Sequence, residues 1–138
     1  MKRIFVDTSA VCALMDKNDK FHRAAADNFS QFAADTTVLA CSSYVVLETV
    51  ALLQSRIGMG PVKKWQSEFQ PILEIVWVDA DLHEKALTAL IAAQDRSISL
   101  TDWTSFEIMR ERGIEEAFSF DRHFSQRGFN LLPSPRDG

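Results

Sequence analysis

The chain has 138 residues, 46% hydrophobic and 25% charged. That is enough for one core but not two, and it is neither a disordered nor a membrane-type composition. The formal net charge of −4 and a sequence pI near 5.3 exclude the basic profile usual for a free-standing nucleic-acid binder.

Arg3 to Val6 reads as a first strand, an apolar run that Asp7 cuts off too early for the core of a signal peptide. Asp7, Thr8 and Ser9 are all good cap residues, and a short helix is expected from about Ser9 to Met15. Phe21, Ala25, Phe29 and Phe32 form a helical stripe over Phe21 to Ala34. Thr37 to Cys41 is a β-branched run and a second strand. Ser42 or Ser43 then caps a helix to about Arg56, ended by Gly58 and Gly60. Pro61 suits the first turn of a helix through about Phe69. Ile72 to Val78 is a third strand, and Asp81 to Asp95, rich in Ala and Leu, a further helix. Thr101 to Arg112 is another helix, closed by Gly113. Ala117 to Phe120 and Phe129 to Leu132 complete five strands.

Strands alternating with helices argue for an α/β layer structure with a mostly parallel sheet. Residues 1–132 form the expected domain, with 133–138 a frayed tail. No apolar stretch approaches the ~20 residues of a membrane helix, so the expected location is the cytoplasm. Cys12 and Cys41 sit in apolar runs and read as buried small hydrophobes rather than a disulfide or zinc site.

Four acids interrupt this apolar pattern. Asp7 ends the first strand, Glu48 breaks a hydrophobic helix, Asp102 opens a helix and Asp121 follows Phe118-Ser119-Phe120. A carboxylate in such a place loses water and needs compensation, and a shared divalent cation held by oxygen ligands is one form of it. Open α/β sheets bind ligands beyond the carboxyl ends of their strands, where Asp7 and Asp121 fall. Each acid also has a structural reading. Asp7 can cap a helix, Glu48 can pair with Arg56, and Asp102 and Asp121 can cap their own turns. His123 reads as an exposed structural histidine. Trp65, Trp77 and Trp103 read as core or interface, with base stacking conceivable for Trp103. Arg3, Lys63, Lys64, Arg110, Arg112, Arg122 and Arg127 are candidates for a basic rim.

The series Phe5-Val6-Asp7-Thr8-Ser9-Ala10, Glu48 in a helix, Leu100-Thr101-Asp102 and Phe118-Ser119-Phe120-Asp121-Arg122-His123-Phe124 resembles the PIN-domain nucleases. Within them it most resembles the VapC-type toxins of toxin–antitoxin pairs, over Ile4 to Pro133. The resemblance implies a three-layer α/β/α sandwich with about five parallel strands, and an Mg²⁺- or Mn²⁺-dependent ribonuclease. It implies that Asp7, Asp102 and Asp121 bind metal and that Glu48 completes the catalytic acids. Thr8, Ser9 and Ser119 would orient ligands or phosphate, and Trp103, bulkier than expected after the third acid, could narrow access. An RNA substrate, a small antitoxin and a homodimer are the implied partners. Competing readings are a housekeeping RNA-processing PIN enzyme and an inactive RNA- or protein-binding module of the same fold. An aspartyl-phosphate phosphatase or receiver domain fits poorly, because Asp7 is followed by Thr8-Ser9 rather than by a second acid.

Overall fold

Strands β1 (Arg3–Val6), β2 (Val38–Ser42), β3 (Leu73–Val76), β4 (Glu116–Phe118) and β5 (Asn130–Leu132) pair in the order β3-β2-β1-β4-β5. Every pairing is parallel, with Phe5 opposite Ala40 on one side and Ala117 on the other. The computed structural model describes residues 2–134, so Pro135 to Gly138 of the expected tail lie outside the described residues. Successive strand residues point to opposite faces of a sheet. Ile4, Phe5 and Val6 are nonetheless all buried, so both faces are covered at the central strand. This is why the run is continuously apolar rather than alternating.

The cover consists of α1 (Thr8–Met15), α2 (His22–Ala34), α3 (Ser43–Arg56), α4 (Met59–Lys64), α5 (Ala80–Ala93), α6 (Leu100–Arg112) and α7 (His123–Gln126). The result is an α/β fold of three layers around a five-stranded, all-parallel sheet. Four helices start on a side-chain cap. Asp7, Ser42, Asp79 and Ser99 accept from the backbone N–H groups of Ser9, Val45, Leu82 and Asp102. Gly113 ends α6 at φ +66°, a left-handed conformation that glycine adopts without steric cost.

Several boundaries differ from the sequence expectation, each for a local reason. The third strand stops at Val76 because the Val78 N–H donates to Ser43 Oγ (2.9 Å) instead of to a neighbouring strand. The fourth stops at Phe118 because the Phe120 N–H donates to Ser9 Oγ (3.0 Å). The helix expected over Pro61 to Phe69 starts at Met59 and widens into a π-helical turn at Trp65–Phe69, followed by a 3₁₀ turn at Gln70–Ile72. That turn buries Trp65 and brings Gln70 Oε1 within 3.1 Å of the indole N–H. Trp77, by contrast, is 69% exposed and lies outside the core.

One aromatic cluster positions α6. Phe106 of that helix is fully buried and meets Trp103, Phe124 and Phe129 at centroid distances of 5.4, 5.1 and 5.9 Å. It fastens the N-terminal half of α6 to the segment after β4. Removing a buried ring of this kind costs about 3–5 kcal/mol.

Candidate active site

The chain runs from β1 out to β2 and β3, then returns to the other side of β1 as β4 and β5. The strand order therefore reverses between β1 and β4, and the crevice beyond their carboxyl ends is where open α/β sheets place ligands. A cleft of about 340 Å³ lies in that region. Its walls include Asp7, Thr8, Ser9, Glu48, Asp102 and Asp121. All four acids singled out in the sequence thus meet in one place, and so do Thr8 and Ser9. Ser119 is buried behind them and reaches the site through Asp7.

Asp7 is 3% exposed. It caps α1, and its Oδ2 accepts from the Ser9 N–H (3.3 Å), Ser9 Oγ (2.6 Å) and Ser119 Oγ (2.9 Å). Among the described residues no donor reaches Oδ1. Burial pushes the Asp7 carboxyl above its ordinary range; the serine hydrogen bonds oppose the shift and the nearby Asp121 charge adds to it. The structural reading of Asp7 as a helix cap is met through Oδ2, while Oδ1 has no donor among the described residues.

Asp102 occupies the first turn of α6, where its N–H donates to Ser99 Oγ (3.1 Å). It is 7% exposed, and its carboxyl is pushed up to about 7. Burial is the main cause, followed by the charges of Asp7, Asp121 and Glu48, with His123 pulling the other way. Asp121 is half-buried on the turn after β4, held by its N–H donating to Ser119 Oγ (3.0 Å) and its Oδ1 accepting from the His123 N–H (2.9 Å). Glu48 reaches the cleft from the middle of α3. No ion pair joins it to Arg56 among the described residues.

His123 departs from expectation. It is not an exposed structural histidine: its Nδ1 lies 2.9 Å from Asp121 Oδ1 and 3.6 Å from Asp102 Oδ2. The alignment makes no hydrogen bond, so Nδ1 is buried without a partner among the described residues. Its other nitrogen, Nε2, lies 3.4 Å from Ser97 Oγ, whose hydroxyl donates to Asp95 Oδ1 (2.6 Å). With that proton spent on Asp95, the serine can only accept from Nε2–H. Nδ1 thus faces two carboxylates, an arrangement that a proton on the ring or a cation among the groups would satisfy. One donor atom each from Asp102, Asp121 and His123 lies within 4.8 Å of the others, a spacing that could hold a metal ion. Thr8 Oγ1 is likewise buried without a partner. A histidine next to an acid in a short turn carries no periodic signal, so only the Asp-Arg-His spacing could have pointed to it.

Three further expectations are corrected. None of the expected basic-rim residues lines the cleft; the one cation among its described walls is Arg56. Arg3 pairs with Glu74, while Arg110 and Arg127 lie over Phe129 and Trp103. Trp103 is buried against Phe106 and beneath Arg127, so it neither stacks bases nor narrows the cleft. Cys12 is only half-buried and lies on the cleft wall, with its thiol pushed up to about 11 by burial and hence uncharged at neutral pH. Cys41 is buried as expected, and both cysteines are free.

The family model described as PIN domain matches residues 4–130. The 23S rRNA-specific endonuclease VapC20 of Mycobacterium tuberculosis is 36% identical over 127 residues, covering 91% of this chain and 95% of the relative. The crystal structure of M. tuberculosis VapC20, described as a sarcin-ricin loop cleaving toxin, is similar with a TM-score of 0.78 and 35% identity. That match covers 91% of this chain and 95% of the other. Two more distant structures share the fold. VapBC2 from Rickettsia felis, bound to a promoter DNA fragment, has a TM-score of 0.68 at 16% identity over 94% of this chain and 96% of its own. FitAcB from Neisseria gonorrhoeae has 0.66 at 11% over 93% and 95%.

Proposed function

The chain belongs to the PIN-domain family, and from that premise we propose that it is a divalent-metal-dependent endoribonuclease, the toxin of a toxin–antitoxin pair. The observation that carries this reading is the convergence of Asp7, Glu48, Asp102 and Asp121 on one cleft whose described walls hold a single cation. Buried carboxylates at such density repel one another, and a bound Mg²⁺ or Mn²⁺ relieves the repulsion.

Asp7, through its free Oδ1, together with Asp102 and Asp121 would hold the ion, and His123 Nδ1 offers a nitrogen donor beside them. When bound, the ion supplies Lewis acidity toward a phosphodiester and an attacking water. The protein's own groups do the rest. Ser9 and Ser119 lock the Asp7 carboxylate through Oδ2, fixing where Oδ1 points. Glu48 receives the proton of the attacking water and aligns it. Thr8 Oγ1, without a hydrogen-bond partner among the described residues, turns outward to donate to a phosphate oxygen. Arg56 draws the polyanion to a cleft that otherwise repels it. In-line attack breaks the P–O3′ bond, and the departing oxygen takes a proton from bulk water, leaving a 5′-phosphate and a 3′-hydroxyl.

Residues 1–132 act as one nuclease domain in this reading. The substrate class follows the VapC20 relatives, whose names specify 23S rRNA and the sarcin-ricin loop. A small antitoxin is the protein partner, and a second copy pairs over the exposed apolar residues of α3, of which Leu47 is the largest. Among the described residues no helix is long and apolar enough to cross a membrane. Induced expression in cells without the antitoxin tests the proposal. Growth arrest with a discrete new 5′-phosphate end in RNA is expected, and neither should occur with Asp7→Asn. Intact RNA and normal growth under strong expression of the wild type would count against it.

A further inference from the structure

The cleft has an aromatic edge that no step of the proposed chemistry uses. The Phe21 and Phe120 rings stack in parallel, with centroids 4.5 Å apart and planes 6° from each other, and both line the same cleft as the acids. Phe120 directly precedes Asp121, and its N–H donates to the Ser9 hydroxyl that holds Asp7. Phe21 is fixed from its own side, its N–H donating to Asp19 Oδ1 (2.8 Å). Phe21 is 38% exposed on that edge. Phe120 covers one face, and the exposed Lys20 places its ammonium 5.0 Å over the Phe21 ring.

We propose that Phe21, backed by Phe120, is a substrate-positioning ring that stacks the base of a nucleotide next to the scissile phosphate, with Lys20 moving from the ring to the RNA backbone as the base arrives. The inference rests on the nuclease reading and adds a requirement to it. A base can lie on Phe21 only if it has left its own stack, so the preferred substrate presents an unpaired nucleotide at the cut. A phenyl face carries no hydrogen-bonding groups, so it demands a free base without selecting which one. A merely structural Phe21 would need only apolar bulk, which separates the two roles.

The test uses an RNA that the wild type cuts. Phe21→Ala, Phe21→Leu and Phe21→Trp are compared by kcat/KM, with melting temperatures confirming that each folds. Stacking of one base predicts a loss of roughly tenfold for both Ala and Leu, and retention in Trp. An abasic nucleotide at the stacked position should lower wild-type kcat/KM by a similar factor and leave Phe21→Ala unchanged. Wild-type rates in Phe21→Leu, or an abasic penalty that survives removal of the ring, overturn the stacking role while leaving the nuclease reading intact. A wild type that cuts no RNA removes both.

Discussion

The two ends of one sheet treat acids in opposite ways. At its amino end, Lys2 and Arg3 precede or open β1 and take Glu116 of β4 and Glu74 of β3 at 2.8 and 3.0 Å. Each acid there has its own cation, and water screens both pairs. At the carboxyl end Asp7, Asp102, Asp121 and Glu48 share one cleft with Arg56, and two of the four are nearly inaccessible. The Glu74 carboxyl is held below its usual range by Arg3, whereas Asp7 and Asp102 are driven above theirs by burial. Acids paired one to one serve the fold; acids crowded together without matching cations cost the fold stability, a cost the proposed metal would offset.

The sharpest way to break that contrast is to remove one acid from each end. Asp7→Asn should lower RNA cleavage on the order of 10²–10³-fold, the scale for removing a direct electrostatic contributor. Without metal the same variant should melt no lower than wild type, because an anion leaves a repulsive cluster. End-point cleavage and thermal melts measure the two effects. A smaller loss, roughly 10- to 100-fold, is expected for Ser119→Ala, whose hydroxyl touches Asp7 Oδ2, the Asp121 N–H and Ser9 Oγ.

Stability should report the crowding directly. Mg²⁺ or Mn²⁺ should raise the melting temperature and EDTA should reverse the gain, because a ligand that binds only the folded state stabilises it by mass action. Asp102→Asn should blunt the response. A melting temperature indifferent to both additions would place the carboxyl end in the same class as the amino end.

The pH dependence has a defined sign. Asp102 holds its proton to about 7 when folded, whereas an unfolded aspartate releases it near ~4. Over that window the folded state binds more protons, so metal-free stability should fall as pH rises, with Asp7 contributing in the same direction. Urea midpoints across the window should show the decline, and Asp102→Asn should flatten it. The least effect belongs to the amino end: Glu74→Gln should leave cleavage unchanged and the melting temperature within its scatter.

Much of this molecule can be read along the chain. The strands are legible because a sheet covered on both faces demands unbroken apolar runs, and Asp7 and Glu48 stand out because they interrupt such runs. The caps are legible for the same local reason, as Ser42 and Gly113 show. The π-helical turn at Trp65–Phe69 is not, since its cause is the burial of one indole in a distant core. Nor are His123 and Phe21, whose neighbours in sequence give no hint of Asp102 or Phe120.

By itself, the sequence determined the layer architecture, several helix ends to within a residue or two and which four carboxylates are out of place, because periodicity and capping act over a few adjacent residues. Tertiary structure alone decided that those carboxylates share a cleft and that Asp102 keeps its proton to about 7. It also decided that Arg56, rather than any residue of the expected basic rim, is the cation they face. The reason is physical: charge interaction and burial depend on distances through space. Those distances are set only when packing such as that of Phe106 brings the start of α6 against the turn after β4.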